Sequence, residues 1–381
     1  MQVKSVPANL GPAVPDTRQS KLSLRDVLGR PELLPTLTPG QWDVVLRQAR
    51  AAALAARLSY LIEEHGRQEA IPDQVRRHLD AERLVASKLA RDVERELQHI
   101  VELLRLAGVS VVVLKGAAYI AGDLPAACGR VFTDIDILVP RDNLDVAEQR
   151  LVAAGWLGEE KGSWDQRFYR RWMHQVPPMV HAVRESVVDL HFAIVPSKAR
   201  NPVASDPLFD AAQGAARDPQ IKVLAPCDMI LHSATHLFNE GEFNRALRDL
   251  VDLDLLLRHF AVIPDFWTKL VERGGSLGVG RPLYYALRYT SRFLFTPVPS
   301  ATLDAVRRFA PIVPALMDAL FERALRPPHP TARDRLAGLS VLFLYVRGHW
   351  LRLPMHLLAP HLLRAFFVRR FAGPREREDT G

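Results

Sequence analysis

Two aspartates interrupt an apolar run at residues 129–142, GRVFTDIDILVPRD, and nothing else in the chain constrains its fold as tightly. The Val, Phe, Ile and Leu around Asp134 and Asp136 read as a buried strand. Taking an unpartnered carboxylate out of water is costly, and two neighbouring ones also repel each other. Alternate side chains of a strand share a face. Asp134 and Asp136 are therefore expected to point one way while Ile135 and Ile137 point into the core. Two carboxylates this close need a compensating cation, and hard oxygen ligands suit Mg²⁺.

A third acid, Asp189, lies in a similar setting, VVDLHFAI, with His191 on its face by the same period-two rule. Three strand-borne carboxylates around two divalent ions, roughly 3.5–4 Å apart, make a phosphoryl-transfer site. One ion would lower the pKa of an acceptor hydroxyl, the other would hold a triphosphate and its leaving pyrophosphate, and a carboxylate beside the hydroxyl can take its proton. Upstream, VVVLKGAAYIAGD is a strand that ends in Lys115-Gly116 at a helix start. A glycine there allows close approach of backbone N–H groups to a phosphate, and Lys115 adds a cation. Arg130, four residues before Asp134, either touches a phosphate or balances the acids.

The rest of the chain frames this centre. From about residue 22 to 107 the apolar period is helical: TPGQWDVVLRQARAAALAARLSYLIEEHG has a Thr-Pro start and a Gly stop, and ASKLARDVERELQHIVELLRLAG repeats the scheme. VSVVVLKG is too short and too Val-rich for a helix. RDNLDVAEQRLVAAGW reads as an amphipathic helix with Asp142 or Asn143 as N-cap. PPMVHAVRESVVDLHFAIV reads as a hairpin around Arg184-Glu185-Ser186. Helices return from Pro226 onwards, with breaks expected at Pro264, Pro282, Pro297, Pro327 and Pro354. The expected division is a polar leader over 1–21, a helical region over 22–107, an α/β core over 108–200, a helical domain over 201–372 and a polar tail over 373–381.

A formal charge of +7 and a pI near 9.6 favour anionic partners without choosing among nucleotides, nucleic acid and membrane surfaces. Two cysteines, Cys128 and Cys227, give neither a metal-ligand spacing nor a disulfide framework. The first residues lack the apolar core of a signal peptide, and no apolar run reaches 18 residues. A cytoplasmic protein without integral membrane insertion is the expectation.

The stretch LKGAAYIAGDLPAACGRVFTDIDILV, followed by VVDLHFAI, resembles the uncharacterised nucleotidyltransferase family of the DNA polymerase β-like superfamily. The superfamily pattern is a Gly-Gly or Gly-Ser turn, then hydrophobic-Asp-hydrophobic-Asp/Glu, then a third acid on a later strand. The close likeness covers about residues 109–195, with a weaker one in PCDMILHSATHLF and RALRDLVDLDLLL. It implies an α+β fold: a small polymerase-β-like core, a mixed sheet with helices, flanked by helical regions. It implies Gly116 as the turn glycine, Asp134 and Asp136 as the metal pair and Asp189 as the third metal-binding and catalytic carboxylate. It also implies two Mg²⁺ ions, with Mn²⁺ an alternative, and a nucleoside triphosphate such as ATP as donor. Ala117 departs from the pattern where Ser or Gly is frequent, and the gap between Gly116 and Asp134 is long. That long gap with Lys-Gly is typical of this family and of abortive-infection-type nucleotidyltransferase toxins.

The acceptor is not readable; a small molecule is favoured over protein or RNA. Two rivals stand beside the enzyme reading: a toxin-like transferase acting on tRNA or protein, and a non-catalytic scaffold with this fold. His232 and His236 are four apart on one helix face, but the Glu of H-E-x-x-H is absent, so a core or cleft role outweighs zinc. Asp249, Asp252 and Asp254 beside Arg245 and Arg248 read as a network tying helices together. Trp164 and Trp172 with Arg167, Arg170 and Arg171 read as a solvated face rather than a base clamp. Core packing is favoured over peripheral membrane contact for the apolar, Arg-containing stretch from residue 336 to 371.

Overall fold

The computed structural model describes residues 22–158 and 173–352. Expectations placed on Trp164, Arg167, Arg170, Arg171, Trp172 and Pro354 lie outside the described residues.

Helix Pro39–Ala51 begins as its Thr-Pro signal demands: Thr38 accepts from the Gln41 backbone N–H, while the Gln41 side chain accepts from the Thr38 backbone N–H. The continuous helix expected from here to Gly66 is instead two. The chain turns at Ala53, whose φ is +54°, and resumes as Ala55–Glu64. Nothing in an alanine-rich run signals such a break. Helix Asp73–Leu106 then runs 34 residues and stops at Gly108, where a φ of +73° suits glycine.

The seven strands among the described residues are β1 Val112–Val113, β2 Ile135–Leu138, β3 Trp156–Gly158, β4 Met179–His181, β5 Val187–His191, β6 Gln213–Gly214 and β7 Lys222–Val223. They form one mixed sheet in the order β3-β4-β5-β2-β1-β7-β6. β4 and β5 are the antiparallel hairpin read from the sequence, turning through Glu185 at a φ of +57°. β2 lies between β5, to which it is parallel, and β1, to which it is antiparallel. All four residues of β2 are buried, so the strand has no solvated face. Helix Leu144–Ala153 follows a short 3₁₀ turn at Arg141–Asn143; Asn143 sits at the cap position but makes no side-chain cap bond, so the expected capping chemistry is absent.

Helices Pro226–Asn239, Ala246–Phe260, Phe266–Ser276 and Gly280–Leu294 pack on one another, and Pro226–Asn239 also meets helix Lys115–Ala121, which follows β1. Pro282 does not break the chain. It lies in the first turn of Gly280–Leu294, where its missing N–H has no intrahelical partner to lose. Phe238, Tyr285 and Tyr289 of these helices meet Phe321 of helix Pro314–Ala324 in an aromatic core. Helix Ala337–Arg352 anchors here through Arg347 and Arg352, which donate to the carbonyls of Phe238 and Glu240. Its Leu339, Leu342 and Phe343 stay exposed. Packing on the preceding helices thus holds as far as Arg352. No helix among the described residues is long and apolar enough to cross a membrane.

Candidate active site

Parallel pairing of β2 with β5 sets Asp136 directly opposite Asp189, in the register that also aligns Leu138 with His191. Residues opposite each other in a ladder point to the same face, so two carboxylates separated by 53 positions in the sequence meet inside the protein. Asp136, Asp189 and His191 each offer a donor atom within 4.8 Å of the others. Asp134 stands one residue before β2, half-buried and outside this trio. Its Oδ1 accepts from Thr133 Oγ1 at 3.1 Å, and Thr133 in turn accepts from Arg245 at 2.9 Å.

Lys115 completes the centre. Its Nζ donates to Asp136 Oδ1 at 2.9 Å, with Asp136 buried and Lys115 largely so. The same oxygen accepts from His191 Nε2 at 3.0 Å. Lys115 holds a left-handed φ of +44°, a conformation that costs a residue with a Cβ about 1–2 kcal/mol. Backbone strain of this kind concentrates at functional sites.

The electrostatics follow from burial and neighbours. Burial opposes charge on Lys115, yet the nearby Asp136 carboxylate prevails and raises the ammonium above its ordinary value. Burial likewise disfavours the Asp136 anion, but Lys115 and the His191 bond hold its carboxyl well below the usual range. Asp189 has no such cation. Burial first, and then the charge of Asp136, push its carboxyl up to about 7. Its Oδ1 is buried without a hydrogen-bond partner among the described residues. Burial also lowers the His191 imidazole, in spite of its bond to Asp136. An anion, a second carboxyl with a bare oxygen and an adjacent imidazole form a donor set suited to a divalent cation.

Two residues of the surroundings carry no readable signal. Glu240 follows helix Pro226–Asn239 and lies 2.6 Å from His236 Nδ1 and 3.9 Å from His174 Nε2. The His174 ring is 5.4 Å from that of His191. His174 is driven down to about 3, chiefly by burial and then by His191. Neither Glu240 nor His174 sits in a motif; both reach the centre only through tertiary packing. His236 thus pairs with Glu240 and His232 is buried, in keeping with the core or cleft role expected of them.

Among the described residues Arg130 forms its ion pair with an acid of the helical region rather than with Asp134 or Asp136. Its Nη1 donates to Asp252 Oδ2 at 3.1 Å, joining the sheet to helix Ala246–Phe260. Asp249 pairs with Arg248, and Asp254 with Arg258 and Thr296, so the network expected of this helix is present. Gly116 is buried against these groups. A Cβ there would meet Phe132 Cδ1 at 2.9 Å and Arg130 Nε at 3.3 Å. Gly116→Ala is therefore expected to lower stability by about 1–3 kcal/mol through overpacking. Denaturant unfolding reads this directly, and wild-type stability in the variant would show that the Phe132 ring yields freely.

An acid pair on adjacent strands of a mixed sheet, with a strand–Lys-Gly–helix join beside it, is the arrangement of a nucleotidyltransferase core. The family model described as "uncharacterised nucleotidyltransferase" matches residues 38–295, more than half of the chain. The chain belongs to that family. No curated protein matches it.

Proposed function

We propose that the protein transfers a nucleoside monophosphate from a nucleoside triphosphate to an acceptor hydroxyl, releasing pyrophosphate. The observation that carries this reading is the pairing of Asp136 with Asp189 across β2 and β5, with Asp189 Oδ1 buried and unpartnered among the described residues. Asp134, Asp136 and Asp189 would hold two divalent cations, Mg²⁺ or Mn²⁺. Bound divalent cations lower the pKa of an acceptor hydroxyl and neutralise charge on the triphosphate.

The protein's own groups have separate tasks. Lys115 balances Asp136 before nucleotide arrives. Lys115, at the start of helix Lys115–Ala121 and next to Gly116, would also offer its ammonium to phosphate oxygens. Ionised Asp189 assists removal of the acceptor's proton. The acceptor oxygen bonds to the α-phosphorus, the bond from that phosphorus to the β-bridging oxygen breaks, and pyrophosphate leaves with the electron pair. Arg130, bound to Asp252, acts by holding the sheet and the helical region together rather than by touching phosphate. A small-molecule hydroxyl is the favoured acceptor.

Label transfer tests the reading. Wild-type protein is incubated with each α-labelled triphosphate, Mg²⁺ and a small-molecule cell extract. The expected result is a new labelled species with matching pyrophosphate release, absent with Asp134→Asn. Undiminished transfer by Asp134→Asn would contradict the assignment.

A further inference from the structure

The cation centre contains a nitrogen donor that a set of three carboxylates lacks. His191 is 1 % exposed, and its Nε2 points at Asp136 Oδ1, the oxygen that Lys115 also contacts. The imidazole thus faces the space between the two carboxylates. A metal about 2.0–2.2 Å from each donor requires donor pairs about 3.0 Å apart when cis and about 4.3 Å apart when trans. Donor atoms of Asp136, Asp189 and His191 within 4.8 Å of one another meet that requirement with small side-chain adjustments.

His191 Nδ1 is buried and has no hydrogen-bond partner among the described residues, so the bond of Nε2 to Asp136 is the one the ring would exchange on coordination. Resting on the metal-dependent reading above, we infer that His191 enters the inner coordination sphere with Asp136 and Asp189, so that this centre takes a divalent transition ion of the Mn²⁺, Co²⁺ or Zn²⁺ kind in preference to Mg²⁺. Imidazole nitrogen favours such ions, whereas Mg²⁺ prefers oxygen ligands and retains its waters.

The test uses the full, metal-stripped chain titrated with Mn²⁺ or Mg²⁺ alone, with electron spin-echo modulation read on the Mn²⁺ form. Wild type is expected to show the ¹⁴N coupling of a directly bound imidazole and to bind Mn²⁺ at least tenfold more tightly than Mg²⁺. His191→Gln should lose the ¹⁴N coupling and most of that preference while still binding both ions. The wild-type spectrum alone decides the matter should the variant fold poorly. Bound Mn²⁺ without ¹⁴N coupling in wild type, or coupling that persists in His191→Gln, overturns the inference and leaves the metal-dependent transferase reading intact. Failure of wild type to bind any divalent ion, with or without nucleotide, overturns both.

Discussion

Asp136→Asn is expected to lower stability by about 3–5 kcal/mol at neutral pH and to abolish divalent-cation binding. Asp136 is the common acceptor of Lys115 and His191, and its side chain is 4 % exposed. An amide in its place leaves the Lys115 ammonium buried without a counter-charge. The pH window follows from the two shifts. The Asp136 carboxyl is depressed in the fold, so its contribution is present above the unfolded value near 3.9 and is lost as pH falls through the folded one. The Lys115 ammonium is raised, so its contribution is present below about 10.4 and is lost as pH rises through the folded value. At neutral pH the pair contributes in full. Denaturant unfolding at pH 7 should place Asp136→Asn far below wild type, with Lys115→Met/Asp136→Asn recovering much of the loss. Equal stability of Asp136→Asn and wild type would show that the pair is solvated.

Asp189→Asn is expected to do the opposite to stability while also destroying the cation site. The Asp189 carboxyl is raised to about 7 by burial and by Asp136, above the unfolded value near 3.9. The fold therefore holds this proton more tightly than the unfolded chain does, and a destabilising term grows as pH rises from about 4 to about 7. Asparagine does not titrate. The metal-free variant should match or exceed wild type near pH 5 and gain on it up to about pH 7, after which the difference levels off. Divalent affinity should fall by more than the ~100-fold that follows loss of an outer-shell partner. In wild type, affinity should rise about tenfold per pH unit below 7 and flatten above, because Asp189 must release its proton to coordinate. Thermal unfolding and cation titrations across this range give both readouts. A variant that loses stability at every pH would show that Asp189 is held by a partner rather than left bare.

The acids were legible because a carboxylate within a β-branched run has few bland explanations. The face expected to carry Asp134 and Asp136 along one strand instead carries Asp136 and Asp189, through the register of two strands. Period-two reasoning also placed His191 with Asp189 and marked the β4–β5 hairpin. It overstated β2, which starts only at Ile135 and leaves Asp134 outside the strand. Contacts that cross the fold left no local trace. Arg130 finds Asp252, 122 positions away, although nearer acids were the obvious partners. Glu240 and His174 join the surroundings from a helix end and from a bridge to β5. The turn at Ala53 interrupts a run of good helix formers, where propensity yields to packing.

Calorimetric titration of the full chain with ATP, GTP, CTP and UTP, each with and without Mg²⁺ or Mn²⁺, tests the metal–nucleotide centre most directly. Asp189→Asn is the informative control because it is expected to remain folded. One triphosphate should bind wild type only when a divalent cation is present, and should not bind the variant. Cation-independent binding of equal strength in the two proteins would contradict a nucleotide site built on Asp136 and Asp189.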